Sequence, residues 1–316
     1  MIDGLLVVNK PKGCTSHDVI NRIRKIYNIK KCGHAGTLDP MAQGVLLVFM
    51  GKALKLLSYL EREELDKTYL MRVTLGVETE SYDTEGQVIS CNDEAAFKIT
   101  SEQIQEAINS FKGNIEQIPP IYSAVRVNGE KAYKKARMGE EVTLSARPVT
   151  IKRLDLLHDF TLNGHRQLII RVDCSRGTYV RSLAHDIGRK LGCGAHLSYL
   201  RRERVGKCQV SMAYPWYNII NGKEFVNSNS FVTVKNILNL PKAVVTKDGE
   251  IKVSHGNAIF KRDLLSVDLP ENVDKANLDI ILITNEKDDL IAIYKASKDK
   301  KGNLILLAEK VFSNEH

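Results

Sequence analysis

No run of apolar residues in this sequence is long enough to span a membrane. The stretch from Gly4 to Val8 is broken at once by Asn9 and Lys10, which also argues against a secretory leader and predicts a protein that stays in the cytoplasm. No CxxC pair occurs either. The cysteines Cys14, Cys32, Cys91, Cys174, Cys193 and Cys208 are scattered, which excludes a small disulfide framework and suits a reducing compartment. Cys32 with His34 is the nearest approach to a metal pattern, and no second pair stands at zinc spacing, so no metal is expected. Low-complexity tracts and internal repeats are missing too, which argues against a disordered chain or a solenoid.

What is present is an ordinary globular composition, 43% apolar and 27% charged over 316 residues. Single cores stop growing at about 250–300 residues, so one large domain with a smaller appendage is expected. Lys and Arg number 46 against 38 Asp and Glu, a net charge of +8. The excess is localised: residues 240–316 hold 12 basic and 13 acidic side chains, leaving 34 against 25 for the rest. A polyanionic partner would therefore meet the front of the chain.

Gly4 to Lys10 reads as a buried strand ended by the turn Pro11-Lys12-Gly13. Ser16 reads as the N-cap of a basic amphipathic helix carrying Val19, Ile20, Ile23 and Ile26. From Lys30 to Gly44 three glycines and a proline remove any periodicity, predicting a long loop, and such loops inside compact domains are usually functional. Val45 to Met50 and Tyr69 to Leu75 read as strands, Lys52 to Leu60 and Ser101 to Lys112 as helices, with a polar stretch after Gly86. Asn128-Gly129 predicts a tight hairpin leading to a basic helix. Pro148 to Thr161 and Arg166 to Cys174 form a long hairpin across Asn163-Gly164, Thr178 to Leu191 a helix, and His196 to Val210 more sheet. From Pro241 onward short strands with turns, one of them at Lys247-Asp248-Gly249, predict a small all-β module.

Within the loop, Gly36-Thr37-Leu38-Asp39-Pro40 presents one carboxylate on a stiff turn, because Pro40 restricts the backbone of Asp39 toward extended geometry. By itself an Asp-Pro turn is most often only a turn. The wider stretch GHAGTLDPMAQGVLL, however, resembles the GxxGTLDPxAxGVL signature of the bacterial tRNA pseudouridine-55 synthases, the TruB family. Four further segments, KTYLMRVTLG, IPPIYSAVRVNGEKAYKKAR, CSRGTYVRSLAHDIG and AHLSYLRRERVGKC, resemble that family's other blocks and follow in its order.

The resemblance implies an α+β pseudouridine-synthase fold, with a mixed, mainly antiparallel sheet around a central cleft over residues 1–238, and a PUA-like RNA-binding domain over 239–316. It implies isomerisation of a uridine in the tRNA T loop, with base flipping and without cofactor, by a stand-alone monomer needing no partner protein. Asp39 would be the catalytic carboxylate, Arg181 its cationic neighbour, and Tyr69 the residue stacking on the target base. His34 would enter the T loop and Tyr179 line the pocket, with Gly36, Thr37, Leu38 and Leu200 around the nucleotide. Lys12, Arg126, Tyr133, Arg201 and Arg202 would hold the RNA. Departures from the pattern include Arg126 for lysine, Glu80-Ser81 for Asp-Thr, and the acidic Glu203 in a basic segment. Three rival readings share parts of the pattern: a guide-dependent relative working in a ribonucleoprotein, a non-catalytic tRNA chaperone, and a glycosidase that releases uracil.

Overall fold

The computed structural model describes residues 2–62, 65–123, 125–127, 129–132, 135, 138, 140, 142–238, 240–268, 280–298 and 303–312. An eleven-stranded sheet forms the larger part. Its main path runs through Tyr214–Pro215, Gly4–Lys10, Gln43–Met50, Ala195–Val205, Lys67–Leu75, His165–Cys174, Arg147–Leu162 and Gly113–Gln117. Pairing is antiparallel except between Ala195–Val205 and Gln43–Met50, and between Gly4–Lys10 and Tyr214–Pro215. The sheet is thus mixed and mainly antiparallel, as expected. A second, six-stranded sheet spans residues 242–311.

The unbroken apolar runs GLLVV and GVLLVFM follow from burial on both faces of the first sheet. Leu5, Val7, Val45, Leu47 and Phe49 face one cluster that also takes in Leu240, Leu282, Ile293 and Phe312 of the C-terminal part. Leu6, Val8, Leu46, Val48 and Met50 face the opposite side, under Val19, Ile20 and Ile23 of the helix Ser16–Tyr27. A third cluster holds Tyr69, Met71, Val73 and Leu75, alternating residues of one strand, against Leu183, Ala184 and Ile187 of the helix Val180–Leu191.

The long hairpin is formed as expected, with Asn163 and Gly164 both at positive φ, 54° and 82°, the geometry a two-residue primed turn requires. Several expectations shift. Thr15, not Ser16, caps the first helix and makes a capping box with Asp18, because Ser16 is buried and its hydroxyl is used elsewhere. The front of the predicted loop is a strand, Cys32–Ala35, paired antiparallel with Gln43–Met50. The Lys52 region starts as a 3-10 turn, Gly51–Leu56, before the helix Leu57–Arg62. The polar stretch after Gly86 contains a strand, Val88–Cys91, and a helix, Asp93–Lys98. Lys247-Asp248-Gly249 is no turn but the start of the helix Lys247–Ser254 capped by Thr246, so the C-terminal module is not purely β. Most of the basic helix expected after Asn128-Gly129 lies outside the described residues, including Tyr133.

Gly44 shows why a glycine follows the loop. It lies in register with Arg202 on the parallel neighbour, has φ +106°, and a Cβ there would come within 2.2 Å of the Arg202 carbonyl oxygen. Gly44→Ala is expected to cost about 3 kcal/mol or more, through strain and a forced separation of the central strands. An unchanged denaturant midpoint would show that the strands tolerate the methyl group.

Candidate active site

Asp39 lies in the loop between the strands Cys32–Ala35 and Gln43–Met50. The turn that carries it is closed by a bond from Ala42 N–H to the Asp39 carbonyl at 3.1 Å, and side chains far away in sequence fix it from three directions. The Ser16 hydroxyl accepts from Leu38 N–H at 2.9 Å and donates to Leu38 O at 3.1 Å. Lys10, fully buried, donates to the carbonyls of Pro11, Cys14 and Pro40, and burial lowers its pKa. Arg202 donates to Val45 O at 2.8 Å, Gly36 O at 2.6 Å and Thr37 O at 3.5 Å. The Leu38 side chain is sunk into the core beside Tyr69 and Leu200. Asp39 is therefore aimed by backbone that cannot relax, while its own side chain stays 36% exposed.

Arg181 meets it side-on. Its Nε lies 3.0 Å from Asp39 Oδ2, and its Nη2 donates to Oδ1 at 3.4 Å, the forked geometry that orients a carboxylate. The other guanidinium bonds go to Ser81 O at 3.1 Å and Tyr122 O at 2.9 Å, and Nη1 approaches Asp83 Oδ2 at 3.4 Å. Asp83 is buried and was not anticipated from the sequence. Ser81 Oγ donates to it at 2.6 Å and Glu85 N–H at 2.9 Å, so its segment reads locally as a turn. One cation thus links an accessible carboxylate to a hidden one. Tyr82, between Ser81 and Asp83, sits at φ +62°, a strained conformation for a bulky residue, and is held by stacking on His185 at 3.9 Å between centroids. His185 is one helical turn after Arg181, so the same helix grips the strained turn twice.

These groups line a cavity of about 690 Å3 that includes Gly36, Thr37, Leu38, Tyr69, Tyr179 and Leu200. Tyr69 is buried, which raises its hydroxyl pKa, opposed chiefly by the neighbouring Arg202. The Tyr179 backbone is clamped by the Gln117 amide, which accepts from its N–H at 2.8 Å and donates to its carbonyl at 3.1 Å. Lys67, which had not been singled out as a site residue, also lines the cavity. The lining is less basic than expected: Asp39, Glu80, Asp83 and Glu85 face Lys67 and Arg181. Burial, then Asp83 and Asp39, raise the pKa of Glu85.

Other expected residues lie around this centre. His34 is on the strand leading into the loop, its Nδ1 buried with no hydrogen-bond partner among the described residues, and burial lowers its pKa. Lys12 is exposed on a turn tied to the loop by Gly13 N–H to Pro40 O, 2.8 Å. Arg126 is exposed on the hairpin Arg126–Val127/Glu130–Lys131. Arg201 is half-buried beside Gln43. Arg202 overturns its expected role: at 1% exposure its guanidinium faces carbonyls inside the protein and cannot reach a phosphate. Arg202→Met should cost about 3 kcal/mol, because buried carbonyls lose their donors, and should leave the salt dependence of RNA binding unchanged. A reduced salt slope with intact stability would return Arg202 to the RNA face. Glu203 is neutralised by Arg171 at 3.0 Å, and Arg204 is held by Thr68, Gly206 and Asp173.

No helix among the described residues is long and apolar enough to cross a membrane. Among the same residues no cluster of three potential metal ligands occurs. The family model described as TruB family pseudouridylate synthase, N-terminal domain, matches residues 24–180, and that described as tRNA pseudouridylate synthase B C-terminal domain matches residues 181–237. The tRNA pseudouridine synthase B of Mycobacterium sp. (strain KMS) is 41% identical over 256 residues, 81% of this chain and 84% of that one. Its namesake from Caldanaerobacter subterraneus subsp. tengcongensis is 42% identical over 258 residues, 82% and 86%. Among solved structures, a Cbf5-Nop10-Gar1 complex superposes with TM-score 0.67 at 26% identity, covering 98% of this chain and 85% of that chain. An H/ACA RNP bound to a substrate RNA containing 2'-deoxyuridine gives TM-score 0.67 at 25% identity, covering 98% and 85%.

Proposed function

Because the chain belongs to the TruB family of pseudouridylate synthases, we propose that it isomerises a tRNA uridine, at position 55 of the T loop, to pseudouridine. It does so as a single chain without guide RNA, through the carboxylate of Asp39. The observation that carries this reading is a forked Asp39–Arg181 pair, 3.0 Å at its shortest, beside Tyr69 in one cavity. The reaction breaks the N1–C1′ bond, turns the base, forms C5–C1′ and moves one proton from C5, so it is redox-neutral and calls on no cofactor. A carboxylate serves it as a nucleophile or as a base toward the 2′ proton, and both need the group presented in one fixed direction. The cavity admits a nucleotide only after it has left the stack, which fits a flipped base against Tyr69 and a neutral His34 beside the opened loop.

Identity favours the tRNA reading over the guide-dependent one: 41–42% to the tRNA synthases against 25–26% to the proteins solved in larger assemblies. The six-stranded C-terminal sheet is assigned the role of an RNA-contacting appendage acting by shape, given its net acidic composition. The test is purified protein with an unmodified tRNA transcript and nothing else. Pseudouridine at one T-loop position supports the proposal, free uracil would indicate a glycosidase, and no product would favour a guided enzyme. Binding should weaken with salt by about 0.7–0.9 log units per decade for each phosphate contacted. A flat response would contradict a phosphate-binding surface.

A further inference from the structure

We propose that Ser123 is a further substrate-binding residue of this site, whose hydroxyl pairs with the ribose 2′-hydroxyl of the target uridine. This rests on the RNA-modifying function proposed above. It gives the sugar a contact of its own.

Ser123 lines the catalytic cavity beside Tyr122. It is 4% exposed, and its Oγ is closed to solvent and has no hydrogen-bond partner among the described residues. A hydroxyl in that condition is destabilising, because its donor and acceptor positions have lost water without a replacement. Packing alone gives no reason for a serine here, whereas a polar group arriving with the substrate does.

The place of Ser123 is fixed by its surroundings. Residues 117–123 are laced to the start of the helix Val180–Leu191. The Gln117 amide holds Tyr179 N–H and C=O, the Ser182 hydroxyl donates to Ile118 O at 2.8 Å, and Arg181 Nη2 donates to Tyr122 O at 2.9 Å. Pro119 and Pro120, both buried, stiffen the segment, and Ser123 N–H closes a three-residue turn onto Ile121 O at 2.9 Å. The Arg181 nitrogen that grips Tyr122 O also donates to Asp39 Oδ1. Ser123 therefore stands one residue from a carbonyl held by the cation that orients Asp39, and the reacting sugar carbons have to come to Asp39.

The hydroxyl reaches the cavity by turning about χ1 from one staggered well to another. A partner that satisfies its donor and its acceptor together has to accept and donate in turn. Within an RNA strand the 3′ and 5′ oxygens are esterified, so the target ribose offers one such group, its 2′-hydroxyl, on the carbon next to C1′. That contact holds C2′ against Asp39 and makes the site prefer ribose to deoxyribose.

The experiment measures Kd for T-arm stem-loops carrying uridine or 2′-deoxyuridine at the target position, with Asp39→Asn protein to prevent turnover, with and without Ser123→Ala. The Asp39→Asn parent should bind uridine about tenfold more tightly than deoxyuridine, and adding Ser123→Ala should remove that preference while leaving the deoxyuridine Kd unchanged. Ser123→Ala alone should unfold at the same denaturant concentration as the unsubstituted protein or a higher one, since it deletes an unsatisfied buried group. A ribose preference that is absent from the parent, or that survives Ser123→Ala, would overturn the inference. Equal losses on the two RNAs would place the contact on the base and overturn the assignment to the sugar, and a lower unfolding midpoint with unchanged affinity would make Ser123 a packing residue only. Pseudouridine yield from the unsubstituted protein is read separately: its absence would sink the proposed reaction, while the ribose coupling is judged from binding alone.

Discussion

Asp39→Asn should reduce pseudouridine formation by roughly a thousandfold or more, with tRNA affinity within about threefold of the unsubstituted protein. The split is expected because Asp39 is presented by its surroundings and does not hold them up. Its loop is fixed through backbone bonds to Ser16, Lys10 and Arg202, none of which involves the carboxylate. Asparagine keeps the shape and loses the charge, so RNA should still dock against an intact turn. Single-turnover assays with filter or fluorescence binding on the same preparation would separate the two effects. Normal product yield from Asp39→Asn would remove the mechanism altogether, and a parallel collapse of affinity would recast Asp39 as a binding residue.

Arg181→Ala should be costly in two ways. Turnover should fall by about a hundredfold or more, as the forked contact that orients Asp39 is lost. Stability should also fall, by about 3–5 kcal/mol, since removal of one partner leaves Asp83 charged and buried. The two losses can be pulled apart. Adding Asp83→Asn removes the stranded charge, so the double variant should regain much of the stability without regaining the rate. Urea denaturation and single-turnover rates read these quantities independently. If Arg181→Ala is as stable as the parent and slow only at low RNA concentration, Arg181 is a binding cation and the positioning argument fails.

The loop glycines, the Asp-Pro turn and the hairpin at Asn163-Gly164 were legible because each is a local demand on the backbone, answered within a few residues. Burial of the apolar strands on both faces was legible for a similar reason, since unbroken hydrophobic runs have no solvent side. The basic segment from Arg201 to Lys207 was not. Its strand carries register shifts between Leu197 and Tyr199 and between Arg202 and Arg204, which break simple alternation and turn Arg202 inward. Asp83 was hidden by its neighbours, which make it look like part of an ordinary turn, and its partner is 98 residues away. Lys67 looked like the first residue of a strand.

By itself, the sequence determined the family, the loop that carries Asp39 and the stiffness of its turn, because those are written in short motifs whose geometry is set by glycine and proline. Only the tertiary structure decided that Arg202 faces carbonyl oxygens inside the protein, and that Glu80, Asp83 and Glu85 line the same cavity as Asp39. Charge on a side chain is a property of the residue, but the direction it points is set by strand register and by partners more than a hundred residues distant. Side chains of identical type, Arg201 and Arg202, can therefore stand in different environments one position apart.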